Sequence, residues 1–184
     1  MKDSMITSTK TIVQVGMFAA IIVVLAQIAI PMPVGVPVTL QTFAIALCGY
    51  VLGKKNGVLS TGIYILMGVL GLPVFANFRG GIGVVFGMTG GFIWGFLVLA
   101  FLSGLHTQFK SKSIGIALGL IGLVICHVLG VIQFSVVTST PLLKALFLVS
   151  VPYLIKDVIS IVVAYFVASA VRKRLISAHL IEHA

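Results

Sequence analysis

Few residues in this chain are able to do chemistry, and four of them stand together. Tyr153, Lys156, Asp157 and Ser160 occur at i, i+3, i+4 and i+7, which places them on one face of a helix. Ile155, Val158, Ile159, Val162 and Val163 fill the other faces. A Lys or Asp near the middle of a membrane helix costs about 2.5–3.5 kcal/mol, so such residues persist where they are shielded and used. Two roles fit the stripe: an internal ion pair that locks the helices, or a polar wall for a ligand.

A second group lies in Pro73-Val-Phe-Ala-Asn-Phe-Arg-Gly-Gly-Ile-Gly. Arg79 is surrounded there by Phe75, Phe78 and Phe86, and a guanidinium fork holds a carboxylate in bidentate fashion. Asn77 supplies both a donor and an acceptor, as a neutral amide or urea partner requires. The alternative is an Arg that binds lipid headgroups, flanked by interfacial aromatics. The stretch from Pro31 to Thr42 is uncharged and contains Pro31, Pro33 and Pro37. It reads as a stiff apolar lid over an outer cavity, with Thr39, Gln41 and Thr42 as polar contacts. His127, with Gly130 and Gln133, suits a hydrogen-bonded structural role or a proton relay. Ser60, Thr61 and Tyr64 read as links between helices, and His179 and His183 as part of a solvated tail. Cys48 and Cys126 lie in apolar runs and read as small buried hydrophobes, so no metal site is expected.

The elements that must position these residues follow from composition. Of 184 residues, 60% are hydrophobic and 8% charged, with mean hydropathy +1.26. A water-soluble domain carries about 25% charged residues, so the exterior of this protein must be lipid. The apolar runs are Thr11–Ile30, Leu40–Leu52, Val58–Leu72, Val84–Leu105, Ile114–Val137 and Ala145–Val171. The first run is too long for the core of a usual signal peptide and no A-x-A-like cleavage site follows it, so it is read as a retained helix. The second and third runs are short for full spans. They tilt less, thin the bilayer or extend into their flanking loops, with a re-entrant pair as the competing reading. The expectation is an all-α, polytopic membrane protein of six transmembrane helices forming a single domain over residues 1–184.

Charge sets the orientation. With both termini inside, Lys2, Lys10, Lys54, Lys55, Lys110, Lys112, Arg172, Lys173 and Arg174 are cytoplasmic, while Arg79 and Lys144 are outside. This positive-inside bias predicts an N-in, C-in plasma-membrane protein. The net charge of +9 sits in short loops between apolar runs, which argues against a nucleic-acid partner.

The motifs of self-energised or catalytic proteins are missing. Gly49-Tyr-Val-Leu-Gly-Lys-Lys is one residue short between its glycines for a phosphate loop and lacks the following Ser or Thr. Gly81-Ile-Gly-Val-Val-Phe-Gly misses the dinucleotide spacing by one. With Asp3, Asp157 and Glu182 as the acids, no paired catalytic carboxylates and no Ser/His/Asp set are available. A non-enzymatic protein without cofactor is expected. Any transport must draw on a gradient or on a partner.

Val36-Pro-Val-Thr-Leu-Gln-Thr-Phe-Ala, Gly71-Leu-Pro-Val-Phe-Ala, Gly80-Gly and Gly87-Met-Thr-Gly-Gly-Phe closely resemble the BioY family. Its members are the biotin-specific substrate-binding subunits (S components) of energy-coupling-factor (ECF) transporters. The resemblance runs from the first helix to the Lys156-Asp157 helix. It implies a six-helix S-component fold and an outward-facing biotin pocket. It also implies three partners: a transmembrane coupling (T) subunit and two ATP-binding-cassette (ABC) ATPases. S components typically carry Ala-x-x-x-Ala on the first helix for docking the coupling subunit. Here the nearest match is Gly16-Met-Phe-Ala-Ala20, which departs from it. Gly16, Ala19, Ala20, Val23 and Gln27 form a small-residue stripe that either docks the partner or packs internally. Biotin has two urea N–H donors, a urea carbonyl, a thioether ring and a carboxylate. Asp157 would accept from an N–H, Lys156 or Asn77 would donate to the carbonyl, and Arg79 would hold the carboxylate, with Lys156 on the carboxylate as the end-for-end alternative. Phe75, Phe78, Phe86, Trp94 or Tyr153 would wall the ring. The rival functions are a gradient-driven carrier with Asp157 and His127 as proton relay, and a membrane-embedded lipid enzyme.

Overall fold

The structure is a computed structural model that describes residues 9–109 and 111–178. Lys2, Lys110, His179 and His183 lie outside the described residues. The helices are α1 (Thr9–Ala26), α2 (Gln41–Val69), α3 (Ile82–Val85), α4 (Gly90–Leu105), α5 (Lys112–Thr138), α6 (Leu142–Val149) and α7 (Val151–Ser177). Between α1 and α2 a two-residue antiparallel ladder pairs β1 (Ala29–Ile30) with β2 (Val38–Thr39). Among the described residues, four helical spans are long and apolar enough to cross a membrane: Thr9–Ala26, Gly90–Gln108, Lys112–Thr138 and Val151–Ser177. Only 28% of the first is buried, and Ile12, Val13, Met17 and Val24 are exposed on it. Such a surface suits lipid or a partner within the membrane.

The second and third apolar runs are the two arms of α2. Gly53 adopts φ 77°, ψ 174°, far from helical, and a side chain there would be strained. The chain reverses at this point. Gly57 packs on Gly49, where an added Cβ would lie 2.8 Å from the Gly49 Cα. Further along the hairpin, Gln41 Nε2 donates to the Tyr64 hydroxyl (2.6 Å). At 1.5 Å per residue the arms are about 18 and 24 Å long, shorter than the hydrocarbon core, as their sequence length implies.

Three boundaries differ from the sequence expectation. The first helix ends at Ala26 instead of reaching Ile30, because Ala29 and Ile30 pair with Thr39 and Val38. The run Val84–Leu105 is divided, since Phe86, Gly87, Met88 and Thr89 interrupt the helix between α3 and α4. The run Ala145–Val171 is divided at Ser150, with Pro152 in the first turn of α7, where its missing N–H breaks no helical bond.

Most of the core lies between α1, α2, α4, α5 and α7, around fully buried Tyr50, Tyr64, Ile45, Leu99 and Ile161. A smaller cluster of Val36, Val131, Phe134, Ala145, Val149 and Tyr153 fills the space beneath the β1–β2 segment. At the opposite end the Tyr50 ring meets His106 and Tyr165 edge-on, at 5.1 and 5.3 Å between centroids. Arg172 Nη1 donates to the Val51 carbonyl there (2.6 Å). This end also carries Lys54, Lys55, Lys112, Lys173 and Arg174, while Arg79 lies at the β1–β2 end.

Candidate functional site

A cavity that is partly open to the exterior lies under the β1–β2 lid. Its walls come from the lid, the 74–79 loop, α2, α4, α5 and α7. Gln41, Thr42, Phe75, Arg79, Phe92, Ile93, Phe96, His127, Tyr153, Lys156 and Asp157 all line it.

The polar pole is built on α7. Tyr153, Asp157 and Ser160 are buried while Ile155 and Ile159 face outward, so the polar stripe points inward as its spacing predicts. Asp157 pairs with Lys156 through Oδ1, and its Oδ2 lies 3.3 Å from His127 Nε2. His127 Nδ1 is 2.9 Å from Ser150 Oγ. A buried carboxylate needs such partners, because an uncompensated one is strongly destabilising.

The lid is latched by the same helix. The Tyr153 hydroxyl donates to the Val36 carbonyl (2.6 Å), and Lys156 Nζ donates to the Thr39 carbonyl (2.7 Å). Gln41 is held between the Tyr64 hydroxyl and Thr39 Oγ1, which donates to Gln41 Oε1 (3.0 Å).

The 74–79 loop forms the rim. Phe75 and Arg79 form a two-bond bridge, and Asn77 and Phe78 between them take left-handed conformations. Gln27 staples this loop to α1. Its Nε2 donates to the Val74 carbonyl (3.1 Å), and its Oε1 accepts from the Phe78 N–H (3.0 Å). Phe75 is buried and meets Tyr64 edge-on at 5.5 Å, whereas Arg79 is exposed at the mouth.

Of the residues singled out in the sequence, the cavity brings together Gln41, Phe75, Arg79, Tyr153, Lys156 and Asp157. Asn77 and Phe86 lie outside its lining. The left-handed turn leaves Asn77 exposed, and Phe86 is 64% exposed beside Trp94. Phe78 and Trp94 do not line it either. Phe92 and Phe96 take the place of these aromatics, one helical turn apart on α4. That helix is apolar on all faces, so no periodicity marked them out. Thr89 and Cys126 also line the cavity. Gly16 and Ala20 are exposed on the outer face of α1, while Ala19 of the same stripe is buried.

A helical membrane protein that encloses buried charge, aromatic walls and an arginine-tipped mouth at one end defines a small-molecule-binding membrane protein. The chain belongs to the BioY family, whose pattern matches residues 1–177. A protein named biotin transporter BioY from Thermotoga maritima is 42% identical over 166 residues, covering 89% of this chain and 96% of that one. Biotin transporter BioY from Rhodobacter capsulatus is 34% identical, covering 88% and 93%. Among solved structures, the S component for biotin from an ECF-type ABC transporter superposes with TM-score 0.83 at 26% identity, covering 94% of this chain and 95% of that one.

Proposed function

We propose that this protein is the biotin-capturing S component of an ECF-type transporter, taking biotin from outside the cell into the cavity beneath its lid. The observation that carries this reading is the ordering of chemistry around one cavity. Asp157 and Lys156 form a charged pole, Phe75, Phe92, Phe96 and Tyr153 give apolar walls, and Arg79 stands at the rim. Biotin's urea, thioether ring and carboxylate follow the same order. The BioY and S-component names of its relatives support the same assignment.

In this reading six segments cross the membrane: the four long helical spans and the two arms of α2. The basic end faces the cytoplasm with both termini, and the lid faces out. Biotin enters past Arg79, displaces Lys156 from the lid carbonyl, and gives its urea N–H to Asp157. Energy comes from a coupling subunit and two ABC ATPases. The coupling subunit docks on the face of α1 that exposes Gly16, Ala20 and Val24, where small side chains permit close helix approach.

One observation favours a second reading. The His127–Asp157 contact is the pairing that a proton-driven carrier would use. Uptake of labelled biotin into vesicles separates the two. Accumulation that needs the ATPase partners and ATP, and ignores an imposed proton gradient, supports the S component. Accumulation by this chain alone, driven by a proton gradient, supports the carrier. A Gly16→Leu/Ala20→Leu variant should bind biotin normally yet lose the complex and ATP-dependent uptake. Equal loss of binding and uptake would place the stripe inside the fold.

A further inference from the structure

From the cavity wall outward, a chain of three side chains runs from Asp157 through His127 to Ser150. Ser150 and His127 are 2% and 6% exposed. The His127 ring is wedged edge-on against Phe92 at 5.7 Å between centroids. Its Nε2 faces Asp157 Oδ2 (3.3 Å) and its Nδ1 faces Ser150 Oγ (2.9 Å). On the far side lies an open apolar groove, lined by Val128, Val131, Ile132, Leu146 and other aliphatic side chains, with His127 and Ser150 themselves as its polar members. That lining offers neither ring nitrogen a competing polar partner.

An ionised carboxylate accepts hydrogen bonds and cannot donate. His127 Nε2 therefore carries the proton that points at Asp157. The Ser150 hydroxyl has Nδ1 as its acceptor, and a hydrogen bond donated there fixes the tautomer with the proton on Nε2. A carboxylate has about four lone-pair sites. His127 occupies one, Lys156 another, and the Thr42 hydroxyl lies against the same carboxylate, which still leaves acceptor capacity toward the ligand cavity and no donor.

We infer that Ser150 and His127 are positioning residues that hold Asp157 as a pure hydrogen-bond acceptor, so that the site selects ligands presenting a cyclic-urea N–H and rejects those in which that N–H is blocked. The selectivity rests on the biotin reading above, while the proton arrangement does not. A site built to accept an N–H discriminates strongly against an analogue that lacks it, because its buried acceptor is left unpaired.

The test uses the purified full-length protein, biotin, and biotin methylated at a urea nitrogen. Wild type should prefer biotin by roughly 10- to 150-fold, the range for a hydrogen bond to a charged group. Ser150→Ala should lower biotin affinity roughly 2- to 10-fold and shrink the preference over the methylated analogue. Ser150→Thr, which keeps the hydroxyl, should restore both. Equal weakening of both ligands, with the preference intact, would make the pair purely structural and overturn the inference. Nitrogen-15 spectra of His127 decide the relay without any ligand. A protonated Nε2 with a bare Nδ1 in wild type, becoming mixed in Ser150→Ala, is the expected signature. The opposite tautomer in wild type overturns the inference, even if biotin binds. Failure of wild type to bind biotin would instead overturn the proposed function, and the spectra would still stand.

Discussion

At the basic end of the bundle, backbone meets backbone. Gly57 rides on Gly49, and Gly104 lies against the chain at Gly53 and Lys54, where an added Cβ would be 2.4 Å from the Lys54 nitrogen. At the lid end, side chains reach out to hold loops. Tyr153 and Lys156 grip the lid carbonyls, and Gln27 grips both ends of the 74–78 segment. Glycine contacts give close approach that tolerates no rearrangement. Single hydrogen bonds of about 0.5–1.5 kcal/mol can be exchanged for bonds to a ligand. Close glycine contacts also occur near the lid, at Gly80 and Gly91, so what sets the lid end apart is the added set of exchangeable side-chain latches, with α2 and α7 running through both ends.

The largest effect should come from filling the rigid end. Gly57→Leu would drive a side chain into the Gly49 backbone, which cannot step aside, and overpacking of this kind costs about 1–3 kcal/mol or more. Size-exclusion chromatography should show loss of monodisperse protein. A monodisperse Gly57→Leu variant would erase the contrast. Next in size, Asp157→Asn should weaken biotin binding roughly 10- to 150-fold by titration calorimetry while the protein stays monodisperse. Unfolding of that variant, with recovery in Lys156→Met/Asp157→Leu, would show an ion pair that serves the fold. Tyr153→Phe removes one lid latch and should speed biotin release roughly 2- to 10-fold in a stopped-flow chase, with thermal stability nearly unchanged. The smallest effect is expected at Gly83 on α3, which has open space around it. Gly83→Ala should leave melting temperature and affinity within error, since Ala is the better helix residue there.

Much of this architecture was legible because charge is scarce. Each of Arg79, Lys156 and Asp157 stood out against an apolar background, and helical spacing alone turned Tyr153, Asp157 and Ser160 to one face. The short second and third runs announced the two arms of α2. The partnership of His127 with Asp157 was hidden, because the residues lie on different helices and their approach is set by how α5 packs on α7. Phe92 and Phe96 were hidden for the opposite reason: in a helix apolar all round, nothing marks the face that lines a cavity. Asn77 stands apart from the other polar groups. Its amide suits a urea, but the turn that bridges Phe75 to Arg79 leaves it exposed outside the lining.

The most direct measurement is to identify what the cavity holds when the protein is purified from its membrane. Native mass spectrometry of wild type from biotin-supplied cells should show a single added mass equal to biotin, much diminished in Asp157→Asn. Wild type carrying no biotin after supply, or carrying a different small molecule that Asp157→Asn also retains, would contradict the account.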